Sequence, residues 1–319
     1  MNLADLRALD RLQLLVTRRL DGLLHGDYLG LLPGPGSEAG EAREYRAGDD
    51  VRRMDWPVTA RTTVPHVRTT VADRELETWL AIDLSPSLDF GTVGMLKREL
   101  AEGAVAAFAY LAGRGGNRIG AVVTDGGPPK AIPPRPGRGG ARSLLRAITS
   151  LPRASGPIAE APGHSLADLI DKTRRHARRR GLAIVISDFL EDEVRKEQQH
   201  GLGDEYGPAG EARWVRELRR LAVRQQVLCV EILDPAELAL PDVGVVDLMD
   251  PETGASVEVQ TGNARFRARY AEAAAAQRAR IAAGIRSGGA AHLRLSTGSD
   301  WLRDIAAFVA ERRHLAAYR

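Results

Sequence analysis

The sequence predicts an α/β protein built on a doubly wound, mostly parallel sheet of the Rossmann type, preceded by a small N-terminal region. Four short apolar runs alternate with longer stretches of helical pattern, as expected for parallel strands that are buried on both faces and connected by helices. The chain has 319 residues, of which 44% are hydrophobic and 27% charged. This length and composition are typical of a globular protein with a large core.

The N-terminal region is predicted to contain a helix and short strands. Leucines recur at roughly helical spacing in residues 3–24, and the Pro- and Gly-rich segment 31–41 ends that pattern. In residues 64–71, Val67, Thr69 and Val71 fall on one side, which is the alternation typical of a strand. We therefore expect a helix and small β region in residues 1–74 and the main α/β domain in residues 75–319.

The main domain is predicted to alternate strands and helices along the chain. Each strand is a short apolar run or an alternating stretch, and most of the helices show apolar residues at three- and four-residue spacing. The polar segment 191–210 is expected to be a surface loop. Strands are predicted at 76–84, 117–125, 131–133, 182–189, 227–233 and 292–297, a hairpin at 245–260, and helices at 94–112, 142–148, 165–179, 211–224, 264–285 and 299–314.

Polar side chains at the ends of the predicted strands suggest a metal site. Asp83, Ser85 and Ser87 follow the first strand on one side of an extended turn, so one carboxylate and two hydroxyls converge. Ser165 opens a later helix and adds a third hydroxyl, and Asp188 follows another buried strand and adds a second carboxylate. Open parallel sheets bind ligands at this edge, and hard oxygen donors suit Mg²⁺.

The same residues also have a structural interpretation. Asp and Ser after a strand commonly cap helices and form turns. Ser165, followed three residues later by Asp168, resembles a capping box with Asp in place of Glu. Apolar residues follow Asp188, so its burial without a partner would be costly. Asp188 is therefore expected either to face a metal or to be hydrogen-bonded.

The charged segment 48–56 allows two interpretations. In the first, which the alternating charges favour, Asp–Arg pairs stabilise the segment and its Trp packs the small region onto the main domain. In the second, the segment forms a surface for a protein partner. The first predicts a lower melting temperature on mutation of Asp55, and the second predicts lost partner binding at unchanged stability. The residues concerned are Gly48, Asp49, Asp50, Arg52, Arg53, Asp55 and Trp56.

Two groups of motifs resemble known families. DLSPS at 83–87, GHS at 163–165 and VISD at 185–188 resemble, in this order, the metal-ion-dependent adhesion site of a von Willebrand factor type A domain. Residues 44–68 resemble the signature of the bacterial family called domain of unknown function 58. The resemblance implies a von Willebrand factor A-like fold and a site for Mg²⁺, with Mn²⁺ or Ca²⁺ as alternatives. The implied ligands are Asp83, Ser85, Ser87, Ser165 in place of the usual Thr, and Asp188 acting through water.

The resemblance further implies a non-enzymatic binding module. The metal would keep an open position for an acidic residue of a partner or client, and the expected partner is a MoxR-type AAA+ ATPase in chaperone-like assembly or maturation. The sequence lacks GxxxxGK[ST], so any ATP use would belong to that partner. The alternative is a metal-dependent or serine hydrolase using Asp83, Ser85, His164 and Asp188, although no G-x-S-x-G motif is present.

Charge and composition argue against several other classes of protein. A net charge of +3 gives little reason to expect nucleic-acid binding. The single cysteine, Cys229, rules out an internal disulfide and a Cys-based metal site, and it is expected in the core with Trp79 and Phe108. No stretch reaches the ~18 uncharged apolar residues of a membrane span. We expect a soluble, cytoplasmic protein with no integral membrane segment.

Overall fold

A computed structural model describes Val16, Leu20, Val51 and residues 38–45, 54–71, 77–114, 117–151, 165–190, 211–249 and 256–317. Within these residues, seven α-helices and a mostly parallel sheet of six strands confirm the predicted mixed α/β class. The strands are β1 (Glu38–Glu44), β2 (His66–Val71), β3 (Glu77–Asp83), β4 (Arg118–Thr124), β5 (Lys130–Pro136), β6 (Gly181–Ser187), β7 (Gln225–Leu233), β8 (Val245–Met249), β9 (Ser256–Gln260) and β10 (Ala291–Ser296). The helices are α1 (Trp56–Thr62), α2 (Lys97–Arg114), α3 (Gly137–Thr149), α4 (Leu166–His176), α5 (Arg213–Ala222), α6 (Ala264–Ser287) and α7 (Trp301–Ala317).

The order of strands in the central sheet is β10-β7-β6-β3-β4-β5. The pairs between β10 and β4 are parallel, and β5 runs antiparallel to β4 at the edge. From β3 the chain first moves to β4 on one side, and later returns to β6 on the other side and continues outward to β7. The strand order therefore reverses beside β3, and an open α/β sheet binds its ligands at such a point.

Helices pack on both faces of this sheet. Helices α2, α3 and α7 share one apolar core, and α4, α5 and α6 share the other. Successive residues of β3 point to opposite faces, so Leu80 lies in the first core and Trp79 in the second. Phe108 and Cys229 are fully buried, and with Trp79 at 3% exposure the predicted core positions are confirmed.

The small N-terminal region contains the antiparallel pair β1–β2 with α1 between the two strands. Asp55 precedes α1, and its Oδ1 accepts a hydrogen bond from the Val58 amide at 3.2 Å, as an N-cap does. The Asp55 amide also donates to the main-chain oxygen of His66 at 2.7 Å, which joins the start of α1 to β2. The expectation that Trp56 packs onto the main domain is wrong, because this side chain is 67% exposed.

Some of the sequence predictions can be compared with the described residues, and others lie outside them. The predicted hairpin at 245–260 is confirmed by the antiparallel pairing of β8 with β9. Its expected turn at 251–254 lies outside the described residues, as do the polar segment 191–210 and most of the predicted helix at 3–24. The expected domain boundary near residue 75 also lies outside them and stays a prediction. Within the described chain, no helix is long and apolar enough to cross a membrane.

Candidate functional site

The candidate site begins where β3 ends. Asp83 is the last residue of β3, and its Oδ1 accepts a hydrogen bond from the amide of Ser85 at 3.0 Å. Pro86 opens a short 3₁₀-helix that turns the chain, and the hydroxyls of Ser85 and Ser87 come within 3.1 Å of each other. The carboxylate and both hydroxyls predicted from the sequence therefore lie together in one turn.

Strand β6 adds the second predicted carboxylate from the neighbouring position in the sheet. Ser187 is the last residue of β6, and its hydroxyl donates to Asp83 Oδ2 at 2.8 Å. Asp188 follows directly, and the Ser87 side chain helps to lower the pKa of its carboxyl. The structure thus brings Asp83, Ser85, Ser87 and Asp188 into one cluster. Sequence reasoning did not single out Ser187, although it directly precedes Asp188 at the end of a buried run.

A buried lysine lies against this cluster. Lys97 is the first residue of α2, and its Nζ lies 2.8 Å from Asp188 Oδ2 and 2.5 Å from Glu237 Oε1. The Lys97 side chain is only 1% exposed. Sequence reasoning missed this contact. The available signal was the position itself, because a cation in the first turn of a helix is unfavourable for the helix dipole and calls for an anionic partner.

The two carboxyls of the cluster differ in their electrostatic environment. Burial raises the pKa of Asp83, and the nearby charge of Asp188 raises it further. Burial also opposes ionisation of Asp188, but the Lys97 ammonium and the hydrogen bonds to its carboxylate outweigh that effect and hold the pKa of Asp188 below its usual range. Burial disfavours the charged form of Lys97, yet Asp188 and Glu237 raise the pKa of Lys97 above its usual value. Among the described residues, Asp188 is thus paired with a cation and Asp83 is not.

A network of buried charges continues from Lys97 across the end of the sheet. Arg278 of α6 donates to Glu237 Oε2 at 3.3 Å and to the main-chain oxygen of Asp188 at 3.1 Å. The same guanidinium lies 3.3 Å from Glu231 Oε1 on β7. Glu231 is fully buried, and burial opposes its ionisation, but its basic partners hold the pKa of Glu231 below the usual range. The further partners of Glu231 are His292 at 2.7 Å and Arg294 at 2.9 Å.

Another strand-end carboxylate, Asp234 after β7, holds the loop that leads into α2. It accepts hydrogen bonds from the Thr92 amide at 2.9 Å and from the Thr297 hydroxyl at 2.7 Å. Asp234 and Glu237 also form a reciprocal capping box at the start of a 3₁₀-helix. Because Glu237 is at once a partner of Lys97 and of this cap, the loop after Ser87 and the loop after β7 are held together beside the cluster.

Ser165 is not hydrogen-bonded to the cluster in the structure. It caps α4 in the capping box that its sequence predicts: its hydroxyl accepts from the Asp168 amide at 3.2 Å, and its own amide donates to Asp168 Oδ2 at 3.0 Å. Arg213 pairs with Asp168 at 2.8 Å, so a cation also lies next to this serine. The role of Ser165 as a metal ligand stays a prediction. His164, the base of the hydrolase alternative, lies outside the described residues.

The cluster differs from a carboxylate-rich metal centre. Among the described residues, no three His, Cys, Asp or Glu side chains are grouped so as to hold a metal ion. The Asp83 carboxylate instead accepts from the Ser85 amide and the Ser187 hydroxyl, beside the paired hydroxyls of Ser85 and Ser87. Within the described chain, no lysine or arginine forms an ion pair with Asp83. A buried carboxylate without a cation fits a divalent ion that prefers oxygen donors. Of the signature segment, Gly48, Asp49, Asp50, Arg52 and Arg53 lie outside the described residues.

Comparisons with known proteins place this chain among bacterial relatives. Uncharacterized proteins of Mycobacterium tuberculosis and Mycobacterium bovis are each 50% identical over 306 residues, which cover 96% of this chain and 89% of the relative. An uncharacterized protein of Mycobacterium avium is 43% identical over 182 residues, which cover 57% of this chain and 94% of the relative. The crystal structure of a conserved hypothetical protein, BatB from Bacteroides thetaiotaomicron, aligns at a TM-score of 0.45 and 17% identity over 75% of this chain and 99% of that chain.

A family model covers the part of the chain that carries both groups of motifs. The model described as "Protein of unknown function DUF58" matches residues 41–280, which include the charged segment 48–56, the turn after β3 and the end of β6. That match spans well over half of the chain. The protein therefore belongs to the family described as Protein of unknown function DUF58.

Proposed function

We propose that this chain is a non-enzymatic protein-interaction module with a von Willebrand factor A-like fold and a Mg²⁺-dependent adhesion site. The observation that carries the proposal is the position of Asp83, a buried carboxylate that accepts from the Ser85 amide beside the paired hydroxyls of Ser85 and Ser87, at the point where the strand order reverses. These three residues would hold the ion, with Asp188 behind them. Mn²⁺ and Ca²⁺ are the alternatives to Mg²⁺, and Ser165 is a further predicted ligand.

The balance of charge supports capture of an acidic residue. A divalent ion beside Asp83 keeps one net positive charge after the charge of Asp83 is subtracted. Asp188 does not cancel that remainder, because its charge is compensated by the Lys97 ammonium at 2.8 Å. Lys97 also pairs with Glu237, to which Arg278 supplies a second cation. A bound Mg²⁺ would supply this charge together with a free coordination position. The carboxylate of a partner's Asp or Glu is the ligand that fits both.

The surroundings of the serines favour binding over hydrolysis. The hydroxyl of Ser85 is hydrogen-bonded to that of Ser87. Within the described residues, no histidine ring is hydrogen-bonded to either serine as a general base would be. The one buried thiol, Cys229, has a raised pKa because of its burial, so the thiolate is disfavoured. We therefore propose binding as the activity of this site.

The proposed partner is a MoxR-type AAA+ ATPase, with which this chain would act in the cytoplasm in chaperone-like assembly or maturation of an acidic client. The family resemblance of the adhesion motifs and of the signature segment supports this partner. The lack of a phosphate-binding GxxxxGK[ST] motif in this chain supports a division of labour in which the partner hydrolyses ATP.

The test is capture of the purified MoxR-type ATPase of the same organism by this chain in Mg²⁺ and in EDTA. We expect capture in Mg²⁺, loss of capture in EDTA, and loss in the Asp83→Ala variant. Asp125→Ala is the matched control, because Asp125 follows the neighbouring strand β4 and its carboxylate pairs with Lys130 at 3.6 Å and accepts from the Gly127 amide at 3.2 Å. Capture that is equal in EDTA, or equal for Asp83→Ala and the wild type, would contradict the proposal.

A further inference from the structure

A second concave site lies at the amino ends of the parallel strands, whereas Asp83 lies at their carboxyl ends. The C-terminal ends of α4 and α5 meet the start of β7 there and border a half-open cavity of about 520 Å³. Gln225, the first residue of β7, lies at this cavity. Five arginines line it: Arg174, Arg175, Arg178, Arg220 and Arg224.

These arginines outnumber the anions that face them. Asp171 pairs with Arg174 at 2.5 Å and with Arg175 at 2.6 Å. Glu217 pairs with Arg220 at 2.8 Å. Among the described residues, no carboxylate forms an ion pair with the other two arginines of the cavity. The negative ends of two helix dipoles favour cations here, but each is equivalent to only about half a charge. The cavity therefore keeps excess positive charge.

The wall of the cavity is fixed in place and partly apolar. The amide Nε2 of Gln225 donates to the main-chain oxygens of Ala177 at 2.9 Å and Arg179 at 2.6 Å, which ties the segment after α4 to the start of β7. Gln225 is 5% exposed, so this tie is buried. Val223, which is 76% exposed directly after α5, adds apolar surface to the cavity, and the buried Leu221 lies behind it.

We propose that this cavity binds a nucleotide-type ligand, with two or more phosphates held by the arginines and an organic group against the apolar wall. Guanidinium groups bind phosphate oxygens in pairs, with charge-assisted hydrogen bonds. The cavity volume lies in the range of small-molecule sites, ~300–1,000 Å³. This site is independent of the proposed adhesion site, because the two lie at opposite ends of the parallel strands.

The observations favour a nucleotide over a macromolecule. Nucleic-acid binding on a single strand relies on aromatic side chains that stack on bases, and no aromatic side chain lines this cavity in the described part of the chain. An acidic peptide spreads its carboxylates along an extended chain. Five guanidinium groups around one concavity instead match an anion whose charges lie on adjacent phosphates.

The experiment is calorimetric titration of the full chain with ADP, GDP, pyrophosphate and adenosine, in EDTA so that the adhesion site does not contribute. We expect binding of ADP or GDP, weaker binding of pyrophosphate and no binding of adenosine. The double variant Arg178→Ala/Arg224→Ala should bind the nucleotide about a hundredfold more weakly, since the loss of each charge-assisted contact weakens binding about tenfold.

Two controls separate this site from general charge and from the adhesion site. Arg265→Ala/Arg269→Ala removes the same charge from exposed positions near the start of α6, and it should leave the affinity unchanged. Asp83→Ala should also leave it unchanged. Circular dichroism and thermal melting verify that each variant is folded. The proposal is overturned if no nucleotide binds, if adenosine binds as well as ADP, or if the cavity variant binds like the wild type. Binding of a single-stranded oligonucleotide or of polyglutamate without nucleotide binding would also overturn it.

Discussion

The Lys97 ammonium lies 2.8 Å from Asp188 Oδ2, and both side chains are at most 3% exposed. This pair gives one carboxyl of the candidate site a cationic partner and leaves Asp83, in the same cluster, without one among the described residues. The two carboxyls that the sequence suggests as equivalent ligands therefore differ in electrostatic environment, and their pKa values are shifted in opposite directions. Four predictions follow from this arrangement and from the helix caps beside it.

Replacing Lys97 by Met should strongly destabilise the fold. The substitution leaves Asp188 and Glu237 as buried carboxylates without their shared cation, and breaking a buried pair from one side costs about 3–5 kcal/mol. Urea unfolding followed by circular dichroism measures the loss. Lys130→Met is the matched control, because the Lys130 side chain is 63% exposed and its pair with Asp125 is worth little. A Lys97→Met variant as stable as the control would contradict this role.

Asp83→Asn should stabilise the metal-free protein at neutral pH. The pKa of Asp83 is raised in the folded state, so its ionised form costs stability above the ordinary value of 3.8. Asn removes that charge at nearly constant shape, and we expect a gain of about 1 kcal/mol, or ~2–4 °C in melting temperature.

The stability gained by Asp83→Asn should depend on pH, because only the ionised form of Asp83 is destabilising. Below pH 3.8 the wild-type carboxyl of Asp83 is protonated in both the folded and unfolded states, so the difference between the two proteins should shrink as the pH falls towards that value. Melting curves in EDTA at several pH values measure it. A variant that is less stable than the wild type at neutral pH would show that Asp83 has a cation of its own in the folded protein.

Ser165→Ala should cost about 1 kcal/mol of stability in EDTA, where only its role as a cap counts. The substitution removes the hydroxyl that accepts from the Asp168 amide in the cap of α4. A melting shift on addition of Mg²⁺ should persist in this variant if the serine acts as a cap alone. If the variant loses stability in EDTA and the shift on addition of Mg²⁺ also disappears, Ser165 is a ligand as well as a cap, as its sequence position predicts.

Asp55→Ala should lower stability by about 1 kcal/mol, because it removes the side chain that caps α1 at 3.2 Å from the Val58 amide. Asp55→Asn keeps an acceptor oxygen at the same place and should lose much less. Thermal melting of the two variants makes the comparison. Equal losses would assign the effect to the charge of Asp55, as the interpretation by Asp–Arg pairs in the signature segment requires.

The strands of the main sheet could be predicted because burial on both faces makes them nearly continuous apolar runs. The run at 182–189, for example, appears as β6, buried throughout. Strand β1 was missed because Glu38–Glu44 has no β-branched or aromatic residue, and only its pairing with β2 makes it a strand. Helix α1 was not predicted because it has only seven residues, too few to show an apolar periodicity. Its sequence signal is limited to the Asp55 cap and the Pro in its first turn.

Only those parts of the candidate site that lie at the ends of predicted strands could be predicted from the sequence. Asp83 and Asp188 end predicted strands, so their approach follows from a parallel sheet. The contact of Lys97 with Glu237 joins residues 140 positions apart, and no local pattern indicates it. Ser165 was predicted both as a helix cap and as a metal ligand. The sequence could not decide between these two roles, because a serine at the start of a helix suits both.

The antiparallel edge strand β5 has a consequence for assembly. Three of its seven residues, Pro133, Pro134 and Pro136, have no main-chain N–H to donate. A second chain therefore finds few hydrogen-bond donors along this border, and sheet-to-sheet polymerisation is discouraged there. A protein that approaches from this side has to be recognised through its side chains.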